Sequence, residues 1–142
     1  MTTAPETTNL VRAYRVMHIA MLGGLVLVGG VLVFLRRTAG VPLGLSMLGL
    51  PFAAVAILLL AITGAVLRPR VVQRRADESP ADYWARREIG AQALILWCLI
   101  EGGALLAWAG YFFSGLTIPL AVGLGGTILL ALLRPANLEG AA

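Results

Sequence analysis

Glu101 is the one carboxylate that the sequence sets inside a long apolar run, Ile89 to Phe113. A carboxyl group there has two kinds of chemistry open to it. Protonated, it donates a hydrogen bond to a carbonyl or hydroxyl oxygen; in exchange with water, it holds a proton or a cation. In either case it is costly in hydrocarbon and turns toward a bundle interior, a partner or a water path. Helical spacing puts Trp97 and Cys98 one turn before it, Ala104 and Leu105 one turn after, and Leu94 and Trp108 two turns away. The indoles of Trp97 and Trp108 thus flank Glu101 with N–H donors, and Thr127 in the next apolar run offers a hydroxyl. Glu101, Trp97, Trp108 and Thr127 form the candidate intramembrane polar site. Three uses compete for it: a structural hydrogen bond within the bundle or to another subunit, binding of a proton or cation, and recognition of a lipid or small apolar ligand.

Other chemistry is thinly supplied. His18 lies near the start of the first apolar run and reads as an interfacial or internally satisfied polar residue. Glu101 is about half a bilayer deeper, so the two do not read as a relay. One His and one Cys, with a single acid inside the spans, are too few for a metal site, and His18 alone is thin support for haem. No Ser/His/Asp set shares one depth, and no glycine-rich loop follows a strand. We therefore expect no catalytic, cofactor-binding or metal residues, and no enzyme.

The elements that must carry these residues follow from composition. The chain has 142 residues, is 59% hydrophobic and only 13% charged. Its mean hydropathy is +0.89. Soluble domains carry roughly twice that share of charge, so an integral membrane protein is the expected class, with membrane lipids as its surroundings. Four apolar runs stand out: Val16–Leu35, about Leu43–Leu67, Ile89–Phe113 and Leu116–Leu133. Backbone groups cannot stay unpaired in lipid, so each run is expected to be a helix. The expected fold is all-α, a single domain over 1–142 with four transmembrane helices alternating up and down. A short mobile tail covers 1–11, and a cytoplasmic loop covers 68–88. Similar span ends at Leu67-Arg68-Pro69 and Leu133-Arg134-Pro135 raise a second reading, two duplicated helical hairpins.

Charge sets the orientation. All eleven basic residues are Arg, and they flank the runs rather than forming a surface with interleaved aromatics, so nucleic acid is not an expected partner. Arg12, Arg15, Arg134 and the six arginines of the middle loop share one side; Arg36 and Arg37 stand on the other. The positive-inside rule then places both termini in the cytoplasm, with the protein in a bacterial inner membrane. Tyr83 and Trp84, just before the third run, fit an interfacial aromatic belt. Cys98 permits no intramolecular disulfide and reads as apolar packing.

Association between helices in lipid depends on small residues. They are Ala20, Gly24 and Gly29-Gly30 in the first span. The second has Gly49, Ala53, Ala61 and Ala65, interrupted by Ile57. Gly103, Ala107, Gly110 and Ser114 serve the third, and Gly123, Gly125, Gly126 and Thr127 the fourth. Pro51 is expected to bend the second span, and Pro119 to sit in the first turn of the fourth. Such faces predict a homo-oligomer or an accessory or structural subunit of a larger membrane complex.

Two resemblances bear on function. The stretch from Ala93 to Trp108, with Glu101-Gly102-Gly103-Ala104-Leu105 at its centre, resembles the carboxylate-bearing helix of rotary ATPase proteolipid subunits. In that family a mid-membrane acid carries a proton or sodium ion, a role the resemblance gives to Glu101. Over residues 12 to 136 the chain resembles a group of small uncharacterised bacterial four-span membrane proteins. The likeness rests on His18-Ile19 in the first helix, Glu101-Gly102 in the third, the turn at Ser114-Gly115 and Arg134-Pro135 after the fourth. It implies the four-span topology and leaves activity open.

Overall fold

The computed structural model describes residues 4–39 and 43–140. Among them all regular structure is helical. Helix α1 spans Ala4–Ala39, 36 residues. Of the stretch read as a mobile tail, residues 1–3 lie outside the described residues, and the remainder belongs to α1. Pro5 falls in the first turn, where no intrahelical donor is required, and no breaker follows it. The helix touches its neighbours along one seam, Tyr14, His18, Leu25, Gly29, Leu32 and Arg36. Val16, Ile19, Val26, Leu27, Val31 and Phe34 face outward. An apolar helix exposed over most of its circumference fits hydrocarbon and not water.

The second apolar stretch runs continuously from Ser46 to Arg70. A 3-10 segment, Leu43–Leu48, leads into α2, Gly49–Ile62. A π-helical turn, Thr63–Leu67, and a 3-10 turn, Arg68–Arg70, complete it. Pro51 stands in the first turn of α2, beyond the change from 3-10 to α geometry, instead of bending a longer helix. The buried face also differs from the small-residue stripe expected. It follows Gly49, Ala53, Ala56, Leu60 and Thr63, while Ala61 and Ala65 are exposed. Steps of four advance about 40° beyond a full turn, so a Gly49–Ala53–Ile57–Ala61–Ala65 row winds off the contact face; alternating steps of four and three hold it.

After a turn-rich segment comes α3, Pro80–Ala85. Ser79 caps it: its Oγ accepts from the Asp82 N–H at 3.1 Å and donates to Asp82 Oδ2 at 2.6 Å. Pro80 at the first helical position completes this start signal. Helix α4, Arg87–Ser114, is the hub, packed by α2, α5 and α1. It joins α5, Thr117–Leu132, through Gly115, whose φ of 70° closes a left-handed cap with its N–H on Tyr111 O at 2.7 Å. The last short helix, α6, spans Pro135–Leu138.

Contacts fix the helix directions. Gly90 meets Tyr14, Trp108 meets Gly29, and Arg36 reaches the end of α4, so α1 runs alongside α4. Gly49 meets Ser114 and Gly103 meets Leu60, so α2 runs against it; Gly123 meets Trp108 and Gly126 meets Ala104, so α5 does too. A β-carbon on Gly126 would stand 2.8 Å from that of Ala104, which is why two small residues face each other there. The helices do not divide into two equivalent hairpins. α4 and α5 pack along their lengths, whereas α1 and α2 share no sizeable contact and each leans on α4. Among the described residues, three helical stretches are long and apolar enough to cross a membrane, Asn9–Ala39, Ser46–Arg70 and Arg87–Ser114, with α5 a shorter apolar helix.

Candidate functional site

The four residues grouped around Glu101 separate in the structure. Trp108 and Thr127 come together: the indole Nε1 donates to Thr127 Oγ1 at 3.4 Å, and the hydroxyl donates to Gly123 O at 2.8 Å. Trp97 turns toward the far end of α5, where Nε1 donates to Leu133 O at 2.8 Å. Both indole N–H groups are therefore spent on α5 and not on Glu101. Glu101 itself is partly exposed and makes no hydrogen bond or ion pair among the described residues. It borders the outward side of α4 with Ile95, Cys98, Gly102 and Leu105. Gly102 has open space where a side chain would go. Cys98 is exposed on this same face, so it does not pack inside the bundle. The carboxyl group is thus set at mid-helix, beside the point where a second helix could approach most closely.

A second polar cluster closes the opposite problem, the unpaired carbonyls at the end of α5. A helix leaves its last carbonyls without backbone donors. His18, only 3% exposed, donates from Nε2 to Leu130 O at 2.9 Å. Trp97 takes Leu133 O, as above. Their rings meet edge to face at 5.0 Å, which couples α1, α4 and the end of α5. His18 is therefore internally satisfied by the end of α5.

Tyr83 and Trp84 extend this cluster and correct the expectation of an interfacial belt. They are 0% and 2% exposed. The middle segment folds back and inserts them under the bundle end. Trp84 stacks on Tyr14 at 4.7 Å between centroids and lies 6.2 Å from Trp97. Its Nε1 donates to Glu139 Oε1 at 2.8 Å. The Tyr83 hydroxyl bonds Val72 O at 2.9 Å and Leu138 O at 3.3 Å. Burial pushes the Tyr83 phenol above its ordinary value, Arg86 opposes this, and the carboxylates Glu139 and Glu78 reinforce it. Sequence reasoning missed the cluster because its members come from Tyr14, His18, Tyr83, Trp84, Trp97 and Glu139, distant along the chain. A local signal was present: the Ser79-Pro80-Ala81-Asp82 start marks a helix inside the loop, and a helix carrying Tyr and Trp needs an apolar surface to cover them.

At the other end, Arg36 explains the charge that opposed the orientation rule. Its guanidinium donates to Phe112 O and Phe113 O at 3.4 Å and to Ser114 O at 3.3 Å. A cation on the negative end of α4 is favourable, so this arginine serves as a C-terminal cap for a neighbouring helix. Among the described residues, no group of three or more metal-ligating side chains is present. No family model, curated protein or solved structure matches the chain.

Proposed function

We propose that the protein is a small non-catalytic bundle that crosses a bacterial inner membrane four times and pairs with a second copy of itself, or with a partner subunit, through the outward face of α4. The observation that carries this reading is Glu101, a carboxyl group at mid-span, partly exposed and without a partner among the described residues. Hydrocarbon offers it no hydrogen bond, so association supplies what the single chain lacks. Gly102 beside it lets a second backbone come close. The alternating helix directions and the apolar α5 support the four-span topology. α5 is 16 residues long, about 24 Å, and Leu116 and Leu133 extend it toward the hydrocarbon thickness.

The same unpaired carboxyl favours a second reading, proton or cation translocation through an oligomer. One set of measurements separates them. Cys98 is the sole cysteine and lies one turn from Glu101, so oxidative cross-linking in membranes reports α4–α4 pairing directly. Wild type should cross-link at twice the 14.9 kDa monomer mass. Glu101→Gln, which keeps a donor and an acceptor, should retain the dimer. Glu101→Leu should lower the dimerisation constant roughly three- to thirty-fold, from about 0.6–2 kcal/mol per interhelical bond. Cross-linking and mass unchanged in Glu101→Leu overturn pairing through this face. Proteoliposome proton flux that vanishes in Glu101→Gln while mass is constant gives the site to translocation instead.

A further inference from the structure

The cytoplasmic-side arginines are not equivalent. In the middle segment, Arg86 pairs with Glu78 at 3.1 Å and Arg74 donates to the Glu78 carbonyl at 2.7 Å. Arg15 and Arg134 have no carboxylate partner among the described residues. The acid nearest Arg134 in sequence, Glu139, is turned inward onto Trp84 and is 9% exposed. These two arginines, from opposite ends of the chain, border one pocket of about 420 Å³. Ile19, Leu22 and Ala131 line it with the buried His18. The groove therefore combines two cations with an apolar wall.

Position along the helices gives the depth. Arg15 directly precedes the apolar run of α1, and Arg134 directly follows Leu133, the C-cap of α5. On the four-span reading proposed above, both fall where hydrocarbon gives way to headgroups, with the apolar lining on the hydrocarbon side. The Arg134 side chain is also held in place. Its Nε donates to Asn137 Oδ1 at 3.2 Å, and Asn137 Nδ2 donates to Leu132 O at 2.6 Å. That leaves the two terminal nitrogens of Arg134 with no acceptor among the described residues, fit for the fork geometry that suits phosphate oxygens. A basic pocket beside a transmembrane helix on the cytoplasmic side has the chemistry of an anionic headgroup site.

We propose that the groove between α1 and α5 is a binding site for one anionic phospholipid, with its phosphate between Arg15 and Arg134 and an acyl chain along Ile19, Leu22 and Ala131. The site does not depend on self-association through α4. The test is native mass spectrometry of the full chain released from detergent micelles. The probes are phosphatidylglycerol, phosphatidylcholine of matched chains, and inorganic phosphate. Wild type should retain one phosphatidylglycerol in preference to phosphatidylcholine, and millimolar phosphate should not displace it. R15Q/R134Q should weaken phosphatidylglycerol binding roughly ten- to thirty-fold, from two interfacial charges. R68Q/R70Q removes the same charge from the same end outside the groove and should bind as wild type. Ile19→Trp obstructs the apolar wall of the groove while keeping both arginines and should also lose the lipid, which guards against misfolding of the double variant. Equal losses in R15Q/R134Q and R68Q/R70Q would reduce the effect to diffuse charge and overturn the site. So would an unchanged preference in R15Q/R134Q, retention by Ile19→Trp, or displacement by free phosphate.

Discussion

Tyr83 shows how one hydroxyl can hold a loop against a helix bundle. It bonds the carbonyls of Val72 and Leu138, joining the middle segment to the C-terminal segment. Replacing it with Phe leaves both carbonyls short of a donor and should cost about 1–3 kcal/mol. The pH response should run the other way. An unfolded phenol titrates near 10.0, and burial holds the folded one higher. The unfolded chain therefore ionises first. The stabilisation is complete below pH 10 and is lost as pH rises through the folded value. Unfolding in detergent, followed by Trp fluorescence, should show wild type losing stability above pH 10 and Tyr83→Phe declining less steeply. Parallel declines would remove Tyr83 as the titrating group. At this scale a residue anomalous in its own run, such as Glu101 or His18, stands out in the sequence, but its partners do not: the indoles of Trp97 and Trp108 turn to Leu133 O and Thr127. It was illegible for Glu139 and Tyr83, whose types are ordinary in a polar segment and whose burial depends on residues far away.

Among the elements, glycines divide by what surrounds them. Gly126 faces Ala104 and Leu60 with no room for a side chain, while Gly30 has nothing within 4 Å. Gly126→Val should force α4 and α5 apart and cost about 1–3 kcal/mol, as overpacking does. Gly30→Ala should be neutral or stabilising by up to about 1 kcal/mol, through helix propensity alone. Thermal unfolding of the two variants in one detergent checks the contrast, and a similar loss in both would contradict the packing described here. The α4 stripe Gly103, Ala107, Gly110 and Ser114 could be read correctly because its steps alternate between four and three. The α2 stripe could not, because equal steps of four drift around the helix and a row of small residues does not reveal which of them face inward. The π turn at Thr63 has a visible local correlate, the Thr63 hydroxyl donating to Leu59 O at 2.7 Å, but no sequence pattern announces it.

For the whole molecule, charge and length predict more than packing does. The helical class and the three long apolar helices follow from composition and run length. The role of α4 as hub does not, because every run is apolar enough to be central. Orientation is testable at this scale. In a Cys98→Ser background, a cysteine at Ala76, exposed in the middle segment, should react with a membrane-impermeant maleimide only in inverted vesicles or after lysis. Labelling of intact cells would reverse the topology. The bundle end that this segment covers has one more consequence. Its seal draws on Tyr14 from the first helix, Tyr83 and Trp84 from the middle, and Leu138 and Glu139 from the last segment. Insertion of the helices can proceed in chain order, but this seal cannot close until residue 139 has emerged from the ribosome. Until then the indole of Trp84 lacks its acceptor, so the emergence of Glu139 is the event that lets the bundle end lock.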